Sequence, residues 1–258
     1  MSQWDPGQYE RFAAERAAPF FDLLGLIEPS DAPRMVDLGC GTGELTAQAH
    51  RQLGARETIG IDNSSTMLAR ANDLHVDGVA FEHGDVTTFT GDGSFDVVLS
   101  NAALQWLPDH RAVLGRWAHA LCDQGQLAVQ LPSNADHCSH VVAAELANES
   151  PFVDAFDGEP PPDPTALVLA PETYAEILED LGFSRQHVRL QVYPHHLDSS
   201  ADVVEWVKGT SLTRFKARLS PELYDQFLER YRERLIAVIG DRKPYLYTFK
   251  RILFWGRR

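Results

Sequence analysis

An open, mainly parallel α/β sheet carrying a helical cap is the fold class that the sequence predicts, and three observations predict it. Strand-like and helix-like stretches alternate from residue 34 to residue 131. A glycine-rich turn, Gly39-Cys40-Gly41-Thr42-Gly43, follows the first of the strands. The alternation then breaks after Pro132 and resumes near residue 172. Alternation at this spacing means βαβ units, hence a parallel sheet, and the interruptions are where a cap is inserted.

Taken in order, residues 8–27 read as an entry helix with Phe12, Phe20, Leu23 and Leu24 apolar. Residues 34–38 form a short strand, 44–53 a helix, and 57–61 a second strand. Ser64 or Ser65 caps the next helix, in which Met67, Leu68, Ala71 and Leu74 fall at helical spacing. Strands follow at 79–83 and 95–100, then a helix at 110–121 and, after a turn at Gly125, a strand at 126–131. Residues 135–149 look helical, and the proline-rich stretch 159–164 is a stiff connector. A helix at 172–181 and a strand at 187–193 restore the pattern, helices near 201–208 and 222–238 interrupt it, and a strand at 246–255 closes it. The expected organisation is one domain over 1–258 with a ligand-binding core at 34–131. Segments 1–27, 135–165 and 198–242 make the cap, while 166–197 and 243–258 complete the sheet.

Of the 258 residues 44% are hydrophobic, enough for one buried α/β domain with an elaboration. No run approaches the roughly 20 apolar residues of a bilayer crossing. The opening residues have no basic or apolar region of a secretory signal. Cys40, Cys122 and Cys138 are odd in number and spaced for neither a disulfide framework nor a zinc knuckle. A reduced, cytoplasmic protein is expected. A net charge of −14 argues against nucleic-acid and anionic-membrane partners. Residues 185–258 nonetheless carry 15 of the 23 Lys and Arg but 8 of the 37 Asp and Glu, a local net of +7. Such a third suggests a place where an anion is received, unless its charges are only solvated helix faces.

The glycine turn lies where a strand opens into a helix, so its backbone can approach a ligand while the helix presents amides. Asp62, 19 residues after Gly43, ends the second strand, where a carboxylate accepts from ribose hydroxyls. Asp85 follows the third strand, placed to accept from an adenine amino group, and Asn101 follows the fourth. Polar or glycine residues at four successive strand ends point to an adenosyl ligand. The dinucleotide fingerprint needs Gly or Ala where this chain has Glu44, and a carboxylate would repel a pyrophosphate. With Asp37, Glu44, Asp62 and Asp85 near the loop, the pocket suits a cationic ligand without phosphate, namely S-adenosylmethionine.

Val36-Asp37-Leu38-Gly39-Cys40-Gly41-Thr42-Gly43, Gly60-Ile61-Asp62, Gly84-Asp85 and Phe95-Asp96-Val97-Val98 resemble the successive motifs of class I methyltransferases. A narrower resemblance is to the trans-aconitate 2-methyltransferase family. Trp4-Asp5-Pro6 with Ala14-Glu15-Arg16, the stretch from Asn101 to His110, and Leu127-Ala128-Val129-Gln130-Leu131-Pro132 carry it. It continues through Asp202-Val203-Val204-Glu205-Trp206-Val207 and Phe227-Leu228-Glu229-Arg230-Tyr231. The resemblance implies a Rossmann-like sheet of seven strands, the last antiparallel, and esterification of a trans-aconitate carboxylate with release of S-adenosylhomocysteine. It also implies that Arg16 reaches the cofactor carboxylate. The cofactor set so expected is Trp4, Arg16, Gly39, Cys40, Gly41, Asp62, Asn63, Met67, Asp85, Val86 and Asn101.

A carboxylate is already ionised at neutral pH, so the reaction needs alignment and exclusion of water rather than a dedicated base. Trp106 and Tyr231 are the positioning candidates. Tyr231 also belongs to an inward stripe with Leu223, Phe227 and Leu235. A di- or tricarboxylate needs cationic partners, best supplied by arginine. The candidates are Arg214, Arg232 and Arg251, with Gln105, Trp106, His140, His195 and His196 beside them. His137-Cys138-Ser139-His140 has the look of a metal pair, but no further ligands support it, and no metal is expected. Rival readings are a methyltransferase for another small acid or hydroxyl compound, and a non-catalytic S-adenosylmethionine-binding protein. A monomer satisfies the sequence.

Overall fold

The computed structural model describes the backbone from residue 13 and the side chains from residue 17, in each case to residue 258. Trp4 and the side chain of Arg16 lie outside the described residues. The chain enters with α1 (Ala13–Leu24), then β1 (Arg34–Leu38), α2 (Glu44–Leu53), β2 (Glu57–Asp62), α3 (Ser65–Asn72), β3 (Val79–His83) and β4 (Phe95–Asn101). After a 3-10 turn at Leu104–Trp106, with a second farther on at Pro164–Leu167, come α4 (His110–His119) and β5 (Leu121–Pro132). Next are α5 (Cys138–Ala147), α6 (Phe152–Ala155), α7 (Pro171–Asp180) and β6 (Arg185–Leu197). Then α8 (Asp202–Lys208), α9 (Thr213–Lys216), α10 (Pro221–Ile239) and β7 (Tyr245–Arg257) complete the order.

The seven strands form one sheet in the order β3-β2-β1-β4-β5-β7-β6. Neighbours from β3 to β5 are parallel, and β7 runs antiparallel to β5. Strand order therefore reverses between β1 and β4, the switch point at which open α/β sheets take ligands. Register places Asp37 beside Gly60 and Leu99, and Asn101 beside Gln130, so the carboxyl ends of these strands lie level.

β1 is buried on both faces, which explains its unbroken apolar run. Period-two alternation divides the core of the sheet unit. One face gathers Val36, Leu38, Val98, Leu127, Val129 and Phe254 around Trp117. The other sets Met35, Val97, Leu99, Ala128, Leu253 and Trp255 against Phe20, Leu23 and Leu24 of α1. Each such large apolar side chain contributes roughly 1.5–3 kcal/mol on burial. Local chemistry fixes the helix starts: Ser64 accepts from the Met67 amide, and Asp109 from that of Ala112.

Several expectations need correction. Gly125 is no turn before a separate strand: β5 begins at Leu121, and register slips between Phe95 and Val97, so residues 122–125 bulge out of a continuing strand. β6 and β7 each run to 13 residues, longer than their apolar runs suggested, because polar residues alternate along them. The inward stripe of α10 uses Tyr224, not Leu223, with Phe227, Tyr231 and Leu235. Leu223 instead gives its amide to the Ser220 cap.

Two compact units emerge. The sheet unit holds residues 18–132, 167–191 and 251–258, and the helical unit includes 133–166 and 192–250. In the helical unit α5 packs on α10, and Phe227 gathers Phe152 edge-on, Phe215 at a tilt and Tyr231 in a stack. A second aromatic group there joins Tyr193, His195, Trp206, Tyr247 and Phe249. Among the described residues no helix is long and apolar enough to cross a membrane.

Candidate active site

The glycine loop is locked to the strand beside it. Gly39 and Cys40 donate their amides to the Ile61 carbonyl at 2.8 and 3.1 Å, and Gly41 donates to Asp62 Oδ2 at 2.9 Å. Asp62 Oδ1 accepts the Ser64 amide at 2.8 Å, so the carboxylate is oriented from both sides and keeps lone pairs for a further donor. Gly39 has φ 88°, and a Cβ there would lie 2.3 Å from that of Ala103. Gly41, φ 56°, would carry a Cβ that meets no described atom within 4 Å, so its surroundings are open to a ligand.

Beneath the loop Asp37 is buried, with Oδ2 accepting from Thr46 at 2.5 Å and Oδ1 without a donor. Burial raises its carboxyl to about 7; the Thr46 hydroxyl opposes that rise and the Asp62 charge adds to it. Burial, together with Asp37 and Asp62, also holds the Cys40 thiol far above its usual range, so Cys40 is no nucleophile. An orphaned buried acceptor beside a second carboxylate fits a ligand that brings N–H donors and positive charge. Asp85, exposed, accepts from the Thr87 hydroxyl and amide, and these bonds hold its carboxyl below the usual range. Val86 is buried, Asn63 exposed, and Met67 half-buried in the first turn of α3.

At the end of β4, Asn101 Oδ1 accepts from Gln130 Nε2 at 2.6 Å. Gln105 donates to the Ala102 carbonyl at 2.7 Å. Trp106 is 58% exposed.

The residues expected to hold an acid fare differently from one another. Arg214 and His140 converge on one largely buried carboxylate, Asp163, with Nη1 at 2.8 Å and Nδ1 at 2.7 Å from Oδ2. Burial favours the neutral acid at Asp163, but His140 and Arg214 outweigh it and hold the carboxyl well below the usual range. Arg214 Nε is buried without an acceptor. Arg214 and Asp163 line a cavity of about 180 Å³ with Ala144, Ala147, Asn148 and Phe215. Arg232 is half-exposed and paired with Glu205 at 3.3 Å. Arg251 sits on β7 opposite Pro132. His196 is exposed, while His195 stacks on Phe249 with ring centroids 4.9 Å apart. Tyr231 is wholly buried and gives its hydroxyl proton to the Ser139 carbonyl at 2.9 Å, which makes it core. The His137 ring bonds to Ser139 and the His140 ring to Asp163, so the two side chains of the apparent metal pair have different partners.

A model of the methyltransferase domain matches residues 29–171. The trans-aconitate 2-methyltransferase of Deinococcus radiodurans is 40% identical, covering 99% of this chain and 98% of its own. That of a Mycobacterium species, strain KMS, is 36% identical over 98% and 99%. The chain belongs to this methyltransferase family. It is an S-adenosylmethionine-dependent methyltransferase. The fold extends to distant proteins. YcgJ from Bacillus subtilis superposes with a TM-score of 0.58 at 17% identity, over 92% of this chain and 98% of that one. Phosphoethanolamine N-methyltransferase 2 of Haemonchus contortus gives 0.56 at 18%, over 97% and 56%. These likenesses bear on architecture alone.

Three residues of the methyltransferase escaped the sequence reading: Thr46, Asp163 and Gln130. Gln130 left the clearest signal, being the polar residue within the apolar run from Leu127 to Leu131. Asp163 was hidden in the proline-rich connector, where a carboxylate ordinarily reads as solvated.

Proposed function

We propose that the chain transfers the methyl group of S-adenosylmethionine to one carboxylate of trans-aconitate, forming the monomethyl ester and S-adenosylhomocysteine. The observation that carries this reading is likeness to trans-aconitate 2-methyltransferases over 99% of the chain, through both units. S-adenosylmethionine supplies a methyl group made electrophilic by its sulfonium. Asp62, pinned by the Gly41 and Ser64 amides, receives the ribose hydroxyls. Asp37 would offer Oδ1 to the ammonium and Asp85 would face the adenine, with room for the ligand at Gly41, while Gly39 admits the Ala103 side chain beside the loop.

The acid arrives ionised, so the protein has no proton to remove. Its work is to orient the oxygen and to exclude water. Arg214 receives a non-reacting carboxylate through its open Nε, its side chain held in place by Asp163. Trp106, exposed just after β4, is the candidate to wall the acceptor. Tyr231 and Arg232 take no part. The partner is a small di- or tricarboxylate. The protein works in the cytoplasm with its three cysteines free.

The test is S-adenosylhomocysteine release with trans-aconitate, beside cis-aconitate, citrate and isocitrate. Turnover confined to trans-aconitate is expected, and turnover on none of them overturns the acceptor assignment. Calorimetry on Asp62→Ala reads the cofactor pocket separately. S-adenosylhomocysteine affinity should fall about a hundredfold, roughly 2.7 kcal/mol; unchanged affinity overturns that assignment.

A further inference from the structure

The turn after β4 is gripped by two buried glutamines. Gln130, 2% exposed, holds it twice: its carbonyl accepts the Ala102 amide at 2.8 Å, and its Nε2 donates to Asn101 Oδ1 at 2.6 Å. Gln105, 5% exposed, donates Nε2 to the Ala102 carbonyl. Ala102 stands at φ 55°, in the left-handed region that alanine disfavours, so the turn depends on these bonds. Ala103 lies against Gly39 and closes the remaining side.

The polarity of the Gln130–Asn101 bond follows from burial. Gln130 Oε1 has no donor. Were the amide turned over, two N–H groups would be orphaned in its place, and buried orphan N–H groups are rarer than under-satisfied carbonyls. Gln130 therefore donates and Asn101 accepts. Asn101 Oδ1 is committed, and its Nδ2 has no acceptor among the described residues.

Position along the sheet says what Nδ2 meets. If Asp85 after β3 were to hold the adenine and Asp62 at the end of β2 the ribose, as proposed above, the strand ends left for the reacting end of the cofactor would be those of β1 and β4. We propose that Gln130 is a positioning residue that turns the Asn101 amide so that two N–H donors face the methyl acceptor, selecting an anionic oxygen over an amine or hydroxyl donor. This moves Asn101 from the cofactor to the acceptor, and it rests on the acid-methylating reading above.

Gln130→Glu keeps the shape and removes the donor, so Asn101 must turn Nδ2 inward and present Oδ1 to the acid. Expected for Gln130→Glu at neutral pH is a loss of about ten- to a hundredfold in kcat/KM for trans-aconitate, mainly through KM. S-adenosylhomocysteine affinity by calorimetry should stay within about threefold of wild type, well short of that loss. Acidifying the assay protonates Glu, restores a donor, and narrows the gap to wild type, which a merely packed side chain would not do. Asn101→Asp, at a half-buried position, asks the same question if the first variant fails to fold. Parallel loss of S-adenosylhomocysteine affinity in folded variants, or unchanged kcat/KM, overturns the inference. Absence of turnover by the wild-type chain is a different failure: it removes the acid reading and this role with it.

Discussion

The sheet unit and the helical unit place charge in opposite ways. In the sheet unit Asp37, a buried carboxyl, meets no cation among the described residues, and Asp62 accepts the backbone amides of Gly41 and Ser64. In the helical unit the largely buried carboxyl, Asp163, already has Arg214 and His140 on one oxygen and Thr165 on the other. The first is an arrangement left incomplete for a cationic ligand; the second is a charge network largely closed upon itself. The difference teaches that a basic segment is a poor guide to an anion site. Much of the +7 of residues 185–258 is answered by carboxylates outside that segment, as in Arg214–Asp163, Arg234–Glu149, Lys250–Asp136 and the pairs of Arg185 and Arg257 with Glu28. Only a cation with a buried donor still open, as Arg214 has at Nε, remains a good candidate.

Breaking the closed network should have the largest effect. Arg214→Ala takes the guanidinium from Asp163 and leaves His140 and Thr165 as its partners, and a broken buried pair costs about 3–5 kcal/mol. Urea denaturation should show a loss of that order, and the KM for the acid should rise far more than that for S-adenosylmethionine. A loss below about 1 kcal/mol would mean that the network is a surface pair in effect.

The contrast sharpens with pH, because the two carboxyls are shifted in opposite directions. The folded-state value for Asp37, about 7, lies above the unfolded value. Its contribution to stability is therefore fully present below about pH 4 and lost as pH rises through 7. Asp163 is depressed, so its contribution is present above about pH 4 and lost as pH falls further. Asp37→Asn should flatten the decline between pH 4 and 7 in the ligand-free protein, by up to about 4 kcal/mol. Thermal melts across that range measure it, and an unaltered slope would assign the decline to other groups. The smallest effect belongs to Arg232→Ala. Its pair with Glu205 is half-exposed, and stability and acid KM should move by less than about 1 kcal/mol equivalent. A large rise in acid KM would return Arg232 to the site.

What could be read in advance follows the same division. The alternation of strands and helices, the loop, and the places of Asp62 and Asp85 at strand ends were legible, because strand periodicity and βαβ connection fix what stands at a strand's end. Register, the bulge at 122–125 and the grip of Gln130 on Asn101 were not, because they depend on pairing between strands distant in sequence. In the helical unit, short pieces such as α6 and α9, four residues each, fall below any periodicity window. The meeting of His140, Asp163 and Arg214 spans three such separate stretches, and no local pattern announces it.

The antiparallel pairing of β5 with β7 sets a hazard in time. Residues 126–132 find their partners at 251–257, so one edge of an apolar strand waits while more than a hundred residues are made. At roughly 5–20 residues per second, that wait lasts on the order of 6–24 s. An open strand edge is a template for another chain. Crowded polysomes and concentrated refolding mixtures should thus lose this protein to aggregation before β7 arrives, and slow dilution should rescue it.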